Sequence, residues 1–509
     1  MGQFERRESL EFLGDYFQGQ FVRANDPDGE WEVGSPGDLK DRVLNAQYCY
    51  NHIDSACLSA RAAYLSWARL GVEGRRAYLM RLKEMYSTHS EELAELISRE
   101  TGKPLWESRT EAKAMIGKID ITLSHSLKLI EEEKVENALP GVDGYIRHKP
   151  RGVMAVVGPF NFPGHLANGH IIPALIAGNT VVFKPSDKTP AVGQWMAQMF
   201  HKAEFPPGVF NLLQGQAETG KRLCVNHYVD GILFTGSYEV GLKIQQDTLH
   251  HHWKILALEM GGKNCTVVWE DADLDKAVYE TLIGAFLTTG QRCSCTSKVI
   301  VHEKVAEQFT DRFYQAAKKI AIGHWSDENV FMGPLISAEA VEKYLRFQEI
   351  AKREGAESLM RGKVLDLDQD GYYVTPSINL VDKFNPQSVY QKSEIFGPNV
   401  AIQKVSDFDE ALMINNSTGF GLVMALFTRD RALYERALIE ARVGLLNWNR
   451  TTNGASSRLP FGGMGKSGND RPSAHYAIQY CAVPVASLED SPEYLAQQTF
   501  PGLEYSPQK

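Results

Sequence analysis

The chain has 509 residues, of which 43% are hydrophobic and 23% charged, with a formal net charge of −9. This is long enough for two or three domains around a large core, and ordinary in composition for a globular protein. An acidic balance argues against nucleic acid or an anionic membrane as a partner, and no apolar run approaches the ~20 residues of a membrane span.

The first ten residues, Met1 to Leu10, lack the apolar stretch of a signal peptide, and Arg6 breaks a myristoylation pattern. Seven cysteines without framework spacing read as reduced thiols in a cytoplasmic setting. Cys293 and Cys295 have no second ligand pair nearby, so no metal site is expected.

From Ile53 to Ile130 the apolar spacing is helical. Ala56, Ala60, Ala63, Trp67 and Leu70 recur at three and four, and Leu79, Leu82, Met85 and Tyr86 repeat the pattern. After Gly152 short apolar runs alternate with helices. Strands are predicted over 153–157, 180–183, 209–213 and 231–234, and helices over 165–177, 192–202 and 218–225. This alternation implies a parallel sheet covered on both faces, as in dinucleotide-binding folds.

A second α/β block begins near Gly261, with strands at 266–269, 299–302 and 400–405 and helices at 274–287 and 305–321. Residues 362–373 read as a polar surface excursion. The run from Tyr480 to Ala486 reads as one exposed or swapped strand. No internal repeat or low-complexity tract is present.

The chemistry concentrates at two places. Cys293 lies in Gly290-Gln291-Arg292-Cys293, and Glu259 precedes Gly261-Gly262 upstream. A lone cysteine is usually structural, but a thiol with a partner carboxylate supplies a nucleophile and a base. The glycines argue for close backbone approach at Glu259, and partial burial would raise its pKa toward that of a general base. Asn161, in Pro159-Phe160-Asn161-Phe162-Pro163, is a structural turn asparagine on the plainest reading, since such turns are common, but its amide is also a good donor to a developing oxyanion. No G-x-G-x-x-G follows a strand. Gly236 and Gly241 instead flank a strand–turn–helix whose N-terminus suits a diphosphate.

These motifs, with Phe183-Lys184-Pro185-Ser186-Asp187, Phe234-Thr235-Gly236-Ser237 and Glu394-Ile395-Phe396-Gly397-Pro398, resemble the aldehyde dehydrogenase superfamily in content and order, from about Phe21 to about Leu488. The resemblance implies two Rossmann-type parallel-sheet domains and a small β oligomerisation flap. It divides the chain into 1–130 plus 150–258 for NAD binding, 259–477 for catalysis, and 131–149 plus 478–509 for the flap. It implies NAD-dependent oxidation of a small-molecule aldehyde to an acid through a cysteine thiohemiacetal and thioester. Cys293 would be the nucleophile and Cys295 a spare thiol. Glu259 would activate the deacylating water, which favours a free acid over an acyl-CoA product. Asn161 and the Cys293 N–H would form the oxyanion hole.

By the same resemblance Lys184, Ser186, Asp187, Gly236, Ser237, Gly241, Glu394 and Phe396 hold NAD. Ser237 would meet the diphosphate, Lys184 the adenine-side ribose, and Glu394 the nicotinamide ribose with Phe396 packed beside it. Asp187 stands where the superfamily often has Glu. An acid there disfavours a 2′-phosphate and so NADP, though Asp is one methylene shorter. A homodimer or homotetramer is implied.

A narrower likeness joins Asn161 to His170, Asn447 to Ser456 and Gly468 to Ala474 to the N-succinylglutamate 5-semialdehyde dehydrogenases of arginine catabolism. Such a substrate needs cationic or amide donors. Phe160, His165, Arg292 and Arg450 are the substrate-site candidates, with Arg458, Asn168 and His170 behind them. Another semialdehyde or an aliphatic aldehyde, with NAD or NADP, is the alternative, and a catalytically inert scaffold is disfavoured by the presence of Cys293, Glu259 and Asn161.

Overall fold

The computed structural model describes residues 7–469, 471, 473–490 and 501–503. Two seven-stranded sheets form its centre. In the first, Ile255–Glu259, Gly231–Thr235, Val153–Val157, Thr180–Lys184 and Phe210–Leu212 lie parallel in that spatial order, and Asp15–Phe17 and Gln20–Val22 extend the far edge antiparallel. The chain starts this parallel set in the middle, at Val153–Val157. It moves outward through Thr180–Lys184, then returns to the other side at Gly231–Thr235. The direction of winding therefore reverses between Val153–Val157 and Gly231–Thr235, and a crevice opens there at the carboxyl ends of the strands.

Alternation along the strands explains why both faces are covered. Met154 and Val156 join one apolar cluster with Leu79, Met115, Ile171 and Met196. Val153 and Ala155 point the other way, to Ala56, Ala60, Leu223 and Ile244. The helices Asn51–Arg69, Gly71–Thr88, Ser90–Thr101 and Leu105–Ser124 supply much of this cover, as their periodicity predicts.

The second sheet runs Glu357–Met360, Ser377–Val381, Asn399–Val405, Thr296–His302, Asn264–Val268, Val423–Phe427 and Leu445–Trp448, parallel except for its first strand. A third, three-stranded antiparallel sheet joins Ala482–Glu489, Val142–Pro150 and Glu133–Leu139.

The strand carrying Glu259 belongs wholly to the first sheet. Several expectations change, among them the helix expected over 305–321, which runs Glu303–Ala317. Residues 362–373 are not a free excursion. Tyr373 is fully buried with its hydroxyl donating to the Gly37 carbonyl at 2.8 Å, and the Tyr372 N–H donates to the Pro36 carbonyl at 2.9 Å. They close over the turn of a hairpin, Gly29–Ser35 with Asp38–Tyr48, which the sequence did not announce. The C-terminal strand starts at Ala482 rather than Tyr480, which ends the short helix Ala477–Tyr480, and it pairs within its own chain. The helix predicted to Leu287 stops at Phe286, where Thr288 and Thr289 take left-handed backbone angles. Residues 491–500 and 504–509 of the expected flap, residues 1–6, and Asp470 and Pro472 lie outside the described residues. Among the described residues no helix is long and apolar enough to cross a membrane, and no cluster of His, Cys, Asp and Glu has the makings of a metal site.

Candidate active site

Cys293 sits in the turn that leads into Thr296–His302, and the turn is held from all sides. Thr288 and Thr289 adopt φ of 56° and 57°, a conformation costly for β-branched residues, which persists where surrounding bonds fix it. The Thr288 hydroxyl donates to the buried Glu107 carboxylate, and that of Thr289 to the Gly333 carbonyl at 2.8 Å. Gly290 has φ +70°, and a Cβ on it would collide with the Gly397 carbonyl oxygen. Asn264 Nδ2 donates to the carbonyls of Cys293 and Cys295 at 2.6 and 3.0 Å. Asn453 accepts from the Ser294 hydroxyl at 2.7 Å. Cys293 is part-exposed at a cavity, whereas Cys295 is buried.

Glu259 ends the edge strand of the parallel set and is fully buried. Neither carboxylate oxygen has a hydrogen-bond partner among the described residues. Burial raises its pKa well above the ordinary carboxylate value, against a smaller opposing pull from Arg471. The same burial, together with the charges of Glu259 and Glu394, pushes the Cys293 thiol well up, and Arg292 opposes it. The strand is pinned by Asn469, whose side chain accepts from the Leu258 N–H at 2.7 Å and donates to the Leu256 carbonyl at 2.8 Å.

Asn161 follows Val153–Val157 at the crevice. Its Nδ2 donates to the Gln291 carbonyl at 2.8 Å, which leaves its second amide hydrogen available beside Cys293. Lys103 donates to the Asn161 carbonyl at 3.0 Å and pairs with buried Glu111. Glu111 in turn accepts from the Gly164 and His165 N–H groups, each at 3.0 Å. This pair was not singled out in the sequence, because Lys103 and Glu111 look like any surface charges until a fold buries them.

A cavity of about 220 Å³ opens on Cys293 and Asn161. Its walls include Thr110, Glu111, Lys118, Phe162, His165 and Arg292. Of the four substrate candidates, His165 and Arg292 reach it. Arg292 is already paired with Glu107 at 2.7 Å and lies over the Phe162 ring. Phe160 packs edge-on against Phe396 instead, and Phe162 takes the place at the wall. Arg450 and Arg458 are exposed and are not among the residues around the cavity. Asn168 and His170 are buried packing residues. Asn168 donates to the Met115 carbonyl at 3.1 Å, and His170 bridges the Tyr480 and Thr235 hydroxyls at 2.9 and 3.1 Å.

Sequence reasoning missed Lys118. It is 1% exposed, and its ammonium donates to the Ala474 carbonyl at 2.7 Å. Burial pushes its pKa down to about 8. The available signal was a lysine on the same helical stripe as Met115, Ile119 and Thr122, which are all buried.

The crevice beside this cavity carries the cofactor candidates. Lys184 ends its strand, buried, with its ammonium on the Pro185 carbonyl at 2.6 Å. Burial lowers its pKa to about 8, and Asp187 opposes that shift. Ser186 and Asp187 follow it, and Trp31 Nε1 fixes the Asp187 carbonyl at 2.9 Å. Gly236 and Ser237 follow Gly231–Thr235, and Ser237 caps the helix Tyr238–Asp247 that contains Gly241. Glu394 accepts from the Gly262 N–H at 2.9 Å, and burial raises its pKa to about 7. A Cβ at Gly261 would occupy the position of the Glu394 carboxylate. A helix N-terminus, a buried ammonium and a carboxylate beside the crevice together fit a dinucleotide: anion, ribose hydroxyls and ribose hydroxyls again.

Two largely parallel sheets, with a part-exposed thiol and a buried carboxylate that has no hydrogen-bond partner among the described residues, define an α/β fold with a crevice that fits a dinucleotide. The chain belongs to the aldehyde dehydrogenase family, whose profile matches residues 23–484. It is 42% identical over 455 residues to an N-succinylglutamate 5-semialdehyde dehydrogenase of Acinetobacter baylyi, covering 89% of this chain and 91% of that one. It is 39% identical over 500 residues to the protein of that name from Escherichia coli, covering 97% and 98%. Among solved structures, an NAD-dependent aldehyde dehydrogenase from Sinorhizobium meliloti superposes with a TM-score of 0.89 at 26% identity, covering 94% of this chain and 95% of that one.

Proposed function

We propose that this aldehyde dehydrogenase oxidises N-succinyl-L-glutamate 5-semialdehyde to N-succinyl-L-glutamate in an NAD-dependent reaction of arginine breakdown. The observation that carries the reading is the agreement of relatives about 40% identical over nearly the whole chain, joined to a cavity whose mostly apolar wall includes Lys118 and Arg292.

Cys293, once deprotonated, attacks the aldehyde carbon and forms a thiohemiacetal. The oxyanion that develops is met by the second hydrogen of the Asn161 amide and by the Cys293 N–H. When bound, NAD supplies the acceptor for the hydride that leaves the thiohemiacetal carbon. The Cys293 thioester is then hydrolysed. Glu259, whose oxygens have no hydrogen-bond partner among the described residues, takes a proton from water, and the resulting hydroxide attacks the acyl carbon, expels the Cys293 thiolate and releases the free acid.

For the cofactor, Ser237 and the end of its helix are assigned the diphosphate, with Gly236 and Gly241 giving the turn its close packing. Lys184, Ser186 and Asp187 are assigned the adenine-side ribose, and Glu394 with Phe396 the nicotinamide side. The division of labour follows the sheets. Residues 1–130 and 150–258 would bind the dinucleotide, 259–477 carry the nucleophile, and 131–149 with 478–509 join subunits into a homodimer or homotetramer. All seven cysteines are free, in keeping with a reducing, cytoplasmic setting.

The test is NADH formation followed at 340 nm with the succinylated semialdehyde and with neutral aldehydes. A strong preference for the former is expected. A preference for uncharged aldehydes would return the substrate to another semialdehyde or an aliphatic aldehyde while leaving the chemistry in place.

A further inference from the structure

Three cations stand at the cavity wall or just behind it, and they are not equivalent. Lys103 is matched by Glu111, and Arg292 by Glu107. Lys118 has no carboxylate partner among the described residues. Among the described residues its one hydrogen bond is to the Ala474 carbonyl, a single acceptor for an ammonium with three donors. Burying an ammonium is costly unless it is paired. Around it the cavity presents the Thr110, Ser456 and Ser457 hydroxyls and His165. His165 Nδ1 is buried with no partner among the described residues, and burial together with Lys118, Lys103 and Arg292 pushes its pKa down to about 4. The wall, largely apolar, therefore opens on the nucleophile with Lys118 and Arg292 set against Glu111, and Lys118 is the one of these cations without a paired carboxylate among the described residues.

We propose that Lys118 recognises a carboxylate of the aldehyde substrate and thereby sets the preference for an anionic ω-aldehyde. The inference rests on the reading of the substrate given above and adds the residue that reads its charge. Lys118 lies on Leu105–Ser124, a rigid helix packed in the first core, so the ammonium is positioned before substrate arrives. A merely structural role is the competing account. In that account Lys118 only holds Ala474, which sits at φ +64°.

The two accounts separate on substrate charge. kcat and KM are measured for wild type, Lys118→Met and Lys118→Arg with N-succinyl-L-glutamate 5-semialdehyde, 4-oxobutanoate and hexanal. Lys118→Met is expected to lose about 10- to 100-fold in kcat/KM on whichever carboxylate-bearing aldehyde wild type prefers, mainly through KM, the size of one charge-assisted hydrogen bond. Hexanal should stay within about twofold, and Lys118→Arg should recover part of the loss. Calorimetric binding of the product N-succinyl-L-glutamate gives a second readout without turnover, and should weaken in parallel. An equal loss on hexanal, or no loss on the anionic aldehydes, overturns the proposal. If wild type prefers 4-oxobutanoate and Lys118→Met erases that preference, the succinylated substrate is wrong and Lys118 stands. If Lys118→Met does not fold, Lys118→Gln takes its place under the same criteria.

Discussion

The Asn161 side chain donates to the carbonyl of Gln291 at 2.8 Å, tying the loop after the first parallel strand to the turn that presents Cys293. One amide thus sets the distance between nucleophile and oxyanion donor. Asn161→Ala removes both the tie and the donor. Its kcat should fall about 100- to 1,000-fold, as for loss of an oxyanion-hole donor. The thermal midpoint should move only a few degrees, the size of one buried hydrogen bond. Stopped-flow NADH formation against wild type measures the first, and calorimetry the second.

In the proposed mechanism Cys293 and Glu259 divide the two half-reactions between them. Cys293→Ala should abolish aldehyde-dependent NADH formation. Glu259→Gln keeps the shape but cannot take a proton from water. It should therefore still give a single burst of NADH, one per site, followed by turnover slowed about 100-fold or more. Normal steady-state turnover in Glu259→Gln would remove the carboxylate from deacylation.

The pH dependence follows from burial. Glu259 must be ionised to act as a base, and burial raises its pKa well above the ordinary 4.5, so the deacylation rate should climb with pH over a range above that of an ordinary carboxylate. The acylation burst requires the thiolate. The Cys293 thiol is raised first by burial and next by the charge of Glu259. Removing that charge in Glu259→Gln should shift the burst profile toward lower pH. A shift toward higher pH would instead make Glu259 the base for the thiol.

Lys103 and Glu111 are a buried pair, 2% and 0% exposed at their side chains. Lys103→Met strands the carboxylate that holds the Gly164 and His165 N–H groups. We expect a loss of about 3 kcal/mol in stability by denaturant unfolding, the lower end for breaking one partner of a buried pair. Lys103→Met with Glu111→Leu should recover part of that loss, because the buried charge is then gone.

Asp187 predicts the cofactor preference. A carboxylate there meets ribose hydroxyls well and a 2′-phosphate badly. kcat/KM should favour NAD over NADP by at least about tenfold, one unfavourable charge contact of roughly 1.4 kcal/mol. Asp187→Ser should narrow the gap, and an unchanged ratio would show that Asp187 does not reach the ribose.

The parallel sheets were legible because buried strands must be apolar on both faces, so runs such as 153–157 and 231–234 stand out between amphipathic helices. The turn at Gly290 and the glycines after Glu259 were legible for a related reason, since tight backbone approach admits little else. The hairpin at 29–48 was not legible. One of its strands turns only half-buried positions inward until Val33 and Ser35, and residues 370–373, far along the chain, close its turn. Burial of charge was legible only at Glu259, where the following glycines pointed to it. Lys103 paired with Glu111 and Lys118 at the cavity are ordinary letters in a sequence with 54 basic and 63 acidic residues. Which residue types the chemistry needs, and their order, are local properties that the chain records by itself. Which of its many charges lose their water depends on segments hundreds of residues apart meeting, and only the tertiary structure decided that.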